Sequence, residues 1–86
     1  KYAINYQLDK PGYYANIAVF DAAGRFVMQL ANNDILGTGG TFSWNGEDET
    51  GQRQNLGMYV VVVEIFDLHG NIYRWKDGVG LTDILK

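Results

Sequence analysis

From Gly57 to Phe66 the chain carries its longest apolar run, Gly-Met-Tyr-Val-Val-Val-Val-Glu-Ile-Phe, nearly all of it β-branched or aromatic. Such residues suit a pleated, packed surface. A helix here would present a polar face, yet no polar side chain appears before Glu64. The run predicts a central β-strand that is apolar on both sides. Tyr59, Val61, Val63 and Ile65 fall on one side; Val60, Val62 and Phe66 fall on the other. A strand of this kind needs partners on both edges and cover on both faces.

The flanking segments supply them. Tyr2, Ile4, Tyr6 and Leu8 alternate with Ala3, Asn5 and Gln7, a half-buried strand. Asp9-Lys10-Pro11-Gly12 is a turn, with φ preset by Pro and positive φ available at Gly. Tyr13–Phe20 predicts a second strand, with Ala15, Ile17 and Val19 on one face and Tyr14, Asn16, Ala18 and Phe20 on the other. Asp21-Ala22-Ala23-Gly24 is a tight turn. Arg25–Leu30 is the third strand, with Phe26, Met28 and Leu30 expected inward; Val27 breaks this alternation and admits a bulge.

Residues 32–40, rich in Asn and Gly, are expected to form a loop, with Ile35 and Leu36 tucked under it. Thr41–Trp44 is a short strand with Phe42 and Trp44 inward, followed by a polar turn over residues 45–52. Asp67–Asn71 is a hairpin loop. Ile72–Lys76 returns as the last strand, extended by Val79 and Leu81. About seven short antiparallel strands, with turns every eight to twelve residues and no helical pattern, predict an all-β immunoglobulin/fibronectin-III-like β-sandwich. An open β-barrel is the alternative. The expected core holds Trp44, Phe42, Tyr59, Val61, Val63, Ile17 and Val19. Residues 1–82 form the expected domain and residues 83–86 a short tail.

Composition narrows the function classes. Eighty-six residues make one small domain, which buries only about 60–65% of its unfolded surface. There is no Cys, hence no disulfide and no thiolate metal site. Ten Asp and Glu against seven Lys and Arg give a net charge of −3, contrary to the basic patch that nucleic-acid binding requires. No run of eighteen apolar residues suggests a membrane-spanning helix. No signal-peptide pattern opens the residues given, and Lys1 in place of Met leads us to expect a piece of a longer protein.

Several segments together resemble a known family. Ile17–Val27, Phe42-Ser-Trp-Asn-Gly46, Gly51 and Leu56-Gly-Met-Tyr59 are similar to the immunoglobulin-like domain of flagellar hook-capping proteins. Phe20-Asp21…Gly24-Arg25, Asn32–Thr38 and Val62–Phe66 further resemble C-terminal modules of Bacteroidetes secreted and surface proteins, including those with lamin-tail domains. The resemblance spans nearly the whole chain and rests on turn glycines and core aromatics. It implies a non-catalytic module at the C-terminal end of an exported protein, extracellular or on the cell surface. Some related modules act in secretion. Arg74-Trp75-Lys76 fits the basic ending of those signals, whereas Asp77 and Thr82–Lys86 depart from it.

Candidate chemistry is sparse. One Ser and one His are present; Ser43 is expected outward on a strand and His69 in a hairpin, with nothing to make them a nucleophile and base. No enzyme and no cofactor are expected. Glu47, Asp48 and Glu49 are the metal candidates, but their spacing does not match a calcium loop, and a solvated turn is the plainer reading. Asn32, Asn33 and Asp34 are expected to bond their own loop. Tyr73 and Trp75 alternate beside Arg74 and Lys76, as a carbohydrate strip would, or as an edge strand with one half-buried Trp would.

The apolar second face of the central run stands out. Val60, Val62 and Phe66, with Tyr14 and Phe20 on a neighbouring strand, would form an interaction face rimmed by Asn16 and Glu64. Its expected partner is the preceding domain of the parent protein or a second copy of the module.

Overall fold

A computed structural model describes residues 2–82; Lys1 and the expected tail lie outside the described residues. Six strands follow one another: β1 (Tyr2–Gln7), β2 (Tyr14–Asp21), β3 (Phe26–Ile35), β4 (Gly39–Trp44), β5 (Gly57–Phe66) and β6 (Ile72–Leu81). β1 and β4 form a two-stranded sheet, and β3-β2-β5-β6 form a four-stranded one. All pairings are antiparallel. The two sheets make the expected β-sandwich, with six described strands rather than about seven. Residues 53–56 contribute only an isolated bridge, Glu47 to Arg53, and Val79–Leu81 continue β6.

The central run holds its expected place. β5 lies between β2 and β6, and Tyr59, Val61, Val63 and Ile65 point into the core beside Ala15, Ile17 and Val19 of β2. Tyr2, Ile4, Tyr6, Leu8 and Phe42 close the core from the smaller sheet. Tyr6 lies across from Gly40, where its ring fills the space a Cβ would need, and stacks on Phe42 at 5.8 Å. The turn at Asp9–Gly12 carries the chain from one sheet to the other, with Gly12 at φ +102° and its amide donating to Leu36 O.

β3 departs from simple alternation. Its partners on β2 skip Val27, Leu30 and Asn33, so three extra residues bulge against seven pairs. Each bulge shifts the phase of the strand. Val27 and Ala31 therefore become buried, while Phe26, expected inward, is exposed. Asn33 absorbs the third bulge at φ +53°, a conformation Asn tolerates better than most residues. The expected plug is also split: Leu36 is 4% exposed and Ile35, still on the strand, is 68% exposed.

Candidate interaction surfaces

Three turns share one construction. In Asp21–Arg25, Asp48–Gln52 and Asp67–Asn71 the first Asp carboxylate accepts backbone N–H groups two and four residues on, at 2.9–3.0 Å. The fourth residue is Gly at φ +84°, +85° and +90° respectively. Residue one also donates its N–H to the carbonyl of residue five. This is a three-residue hairpin loop closed by an Asx turn. The second copy, at Asp48, decides the fate of the acidic triplet.

Asp48 spends its carboxylate on Thr50 and Gln52. Glu49 accepts from the Gln29 amide at 2.7 Å, and Glu47 bridges to Arg53 through its backbone. The carboxylates of Asp48 and Glu49 thus serve separate partners, Glu47 is tied through its backbone, and among the described residues no group of three His, Asp or Glu could hold a metal ion. Calcium is expected to leave the melting temperature unchanged. A site filled at about 100 times its dissociation constant would add about 2.7 kcal/mol, so a calorimetric rise with calcium and not with magnesium would contradict this arrangement.

The Asp67 turn has a pH signature. The Asn71 side-chain amide, at 2.8 Å, leads the contacts that pull the Asp67 pKa down to about 2. The unfolded chain would bind this proton near pH 4. A depressed carboxyl stabilises the fold above the unfolded value, and that contribution is lost as pH falls from about 4 through about 2. Melting temperatures of the parent are expected to fall more steeply over that window than those of Asp67→Asn. Parallel curves would show that the turn carboxylate is not the cause.

Ser43 and His69 lie on different sheets, Ser43 in β4 and His69 in the exposed β5–β6 turn.

The outer face of the four-stranded sheet brings together all the residues expected there. Tyr14 pairs with Phe66, Ala18 with Val62 and Phe20 with Val60. Tyr14 stacks on Phe66 at 5.5 Å, and Phe20 meets Phe26 edge-on at 6.1 Å. Each of these expected face residues is half-buried. Asn16 and Glu64 do not rim the patch; they cross it. Glu64 accepts from Arg74 at 2.7 Å and from Asn16 at 3.5 Å, while Asn16 also exchanges two bonds with Asn33. Arg74, then Asn16, hold the Glu64 pKa below the usual carboxylate range. The result is two apolar rows with a polar ladder between them.

Ile35 and Ile72 extend the first row, pairing with Tyr14 and Phe66, and Phe26 extends the second. These three were missed in the sequence. The Asp67–Asn71 turn could have revealed Ile72, because a three-residue loop places it opposite Phe66. Lys76 pairs with Val62 and lines the hollow beside Phe20 and Val60, so its stem covers part of the second row.

Tyr73 and Trp75 lie on the other side of the sheet. They pair with Ile65 and Val63, which point inward, and opposed residues of an antiparallel pair share a face. Yet they are 53% and 45% exposed. β6 reaches past the two-stranded sheet, and its inner face opens on a cleft of about 770 Å³ lined by Leu8, Tyr13, Ile65, Ile72, Tyr73 and Trp75. Tyr73 meets Tyr13 edge-on at 6.4 Å. Toward the far end of β6 the Tyr2 hydroxyl donates to Asp77, and burial, then this bond, push the phenol up to about 12.

A scan against protein-family models and a search of the curated proteins find no match. Among solved structures the chain is similar to FlgD from Xanthomonas campestris, described as a hook-capping protein essential for flagellar assembly. The identity is 27% with a TM-score of 0.61, over 90% of this chain and 55% of that one. The chain therefore spans about half the length of the protein it matches. Fold and likeness together support an FlgD-like, immunoglobulin-type β-sandwich module.

Proposed function

We propose that the chain is a non-catalytic structural and interaction module at the C-terminal end of an exported bacterial protein, and that it docks through the outer face of its larger sheet. The observation that carries this reading is the pair of apolar rows, Ile35-Tyr14-Phe66-Ile72 and Phe26-Phe20-Val60, on a face over which the described residues place no second layer. Apolar patches of this kind commonly mark interfaces. The occupant is the preceding domain of the parent protein, or a second copy when the module stands alone. The likeness to part of a longer hook-capping protein supports a module that works beside other domains. Its place on the cell surface and a role in secretion belong to the same reading.

Sedimentation equilibrium tests it. Val60→Thr with Val62→Thr keeps β propensity and is expected to weaken docking on the preceding domain, or self-association of the isolated module, by about tenfold or more. A module that stays monomeric, and tumbles freely in the longer polypeptide, would sink the proposal.

Carbohydrate binding at Tyr73 and Trp75 is a second reading, favoured by the exposure of both rings. Against it, the Tyr73 ring is already engaged by Tyr13.

A further inference from the structure

The smaller sheet is one strand short on the side where β6 overhangs it. Leu8 donates its N–H to Thr38 O, in register with the β1–β4 ladder. Bonded residues alternate along an antiparallel strand, so Tyr2, Ile4, Tyr6 and Leu8 turn their backbone groups toward β4. Ala3, Asn5 and Gln7 turn theirs to the free edge. Beyond the Gln7 end of that edge lies the cleft whose lining includes Tyr73 and Trp75.

Both edges of the larger sheet are guarded against pairing. β6 carries Arg74, Lys76, Gly78 and Gly80, and β3 is broken by three bulges. Such features discourage added strands. β1, Tyr-Ala-Ile-Asn-Tyr-Gln, has no charge, no Pro and no Gly.

We infer that the β1 edge accepts an extended segment of another polypeptide as an added strand. Its backbone pairs with Ala3, Asn5 and Gln7, and its alternate apolar side chains cover Trp75 and Tyr73. A folded second copy fits badly. Paired through its own β1 across a two-fold axis, it would bring its own overhanging β6 into the space this β6 occupies. Charge refines the guest. Asp9 lines the cleft beside Leu8, and Asp77 lies beside Tyr2 at the other end of β1. Of the nearby cations, Arg74 is held by Glu64, and Lys10 sits 5.8 Å from the Tyr13 ring. The guest is therefore an alternating apolar strand with Lys or Arg toward its ends.

Selection of a phage-displayed library of random nine-residue peptides on the whole 86-residue chain is expected to enrich that pattern. A synthetic copy of the leading peptide should slow amide exchange at Ala3, Asn5 and Gln7 at least about tenfold. Its affinity should fall about tenfold or more for Asn5→Pro, which removes one free-edge donor, and for Trp75→Lys. Val60→Thr with Val62→Thr should bind it unchanged, which separates this edge from the outer docking face. Failure to enrich, enrichment without alternation, or binding that leaves those three amides unprotected would overturn the inference. So would protection that appears on concentrating the chain alone, since a second copy would then hold the edge. Quenching of Trp75 fluorescence by cellohexaose, with the amides still exchanging freely, would give the cleft to carbohydrate instead.

Discussion

Trp44→Ala is expected to lower the unfolding free energy by about 3–5 kcal/mol, the range for large aromatic truncations in a core. Trp44 is the largest of the fully buried side chains, 2% exposed. It ends β4 beneath the larger sheet, with its ring 5.1 Å from that of Tyr59. Its indole N–H donates to the Glu47 carbonyl at 2.8 Å, so the same side chain fixes the start of the β4–β5 connection. Tyr59 in turn donates its hydroxyl to Asn55 O, at the far end of that connection. Removing the indole would open a cavity and leave the Glu47 carbonyl without this donor. For a domain of this size the loss is a large share of a total of about 5–10 kcal/mol. Urea melts measure it. Trp44→Phe should lose less, because it keeps most of the volume and gives up only the bond. A loss below about 1 kcal/mol for Trp44→Ala would mean that this ring does not anchor the core.

How much of this was legible in the sequence depends on the length of unbroken alternation. β2 and β5 pair residue for residue from Tyr14–Phe66 to Asp21–Tyr59, so the inward and outward sets read from the sequence are the observed ones. β3 could not be read this way. A bulge changes which face follows, and no residue type announces one; Val27 was the single hint, and two further bulges at Leu30 and Asn33 left no mark. The outer sheet face was assembled from β2 and β5 with the residues observed there, but its polar ladder was placed at the rim, because Asn33 fell in the expected loop and the register that sets Arg74 against Glu64 was not read. Tyr73 and Trp75 were visible as an alternating pair, readable as a carbohydrate strip or as an edge strand with one half-buried Trp. Their position under the overhang was not, since it depends on how far one sheet outreaches the other, which no local pattern encodes.

The turn glycines give the second large effect. Gly24→Val or Gly70→Val is expected to cost about 2 kcal/mol, because an L-residue in the left-handed region loses about 1–2 kcal/mol and a β-branched one more. The two sites isolate that backbone cost. At φ +84° and +90° each glycine faces open space, with nothing within 4 Å of where a Cβ would stand. A loss there cannot come from collision. Each Gly precedes the residue whose N–H and C=O close the loop on Asp21 or Asp67, so relaxing φ would break those bonds, and the strain must be borne instead. Residue chemistry then orders the variants. Asn visits the left-handed region more readily than other L-residues, so Gly70→Asn should lose less than Gly70→Ala, and Gly70→Ala less than Gly70→Val. Chemical denaturation of the three variants measures this order. Equal losses across the series, or a Val variant as stable as the parent, would show that these turns do not depend on the left-handed corner.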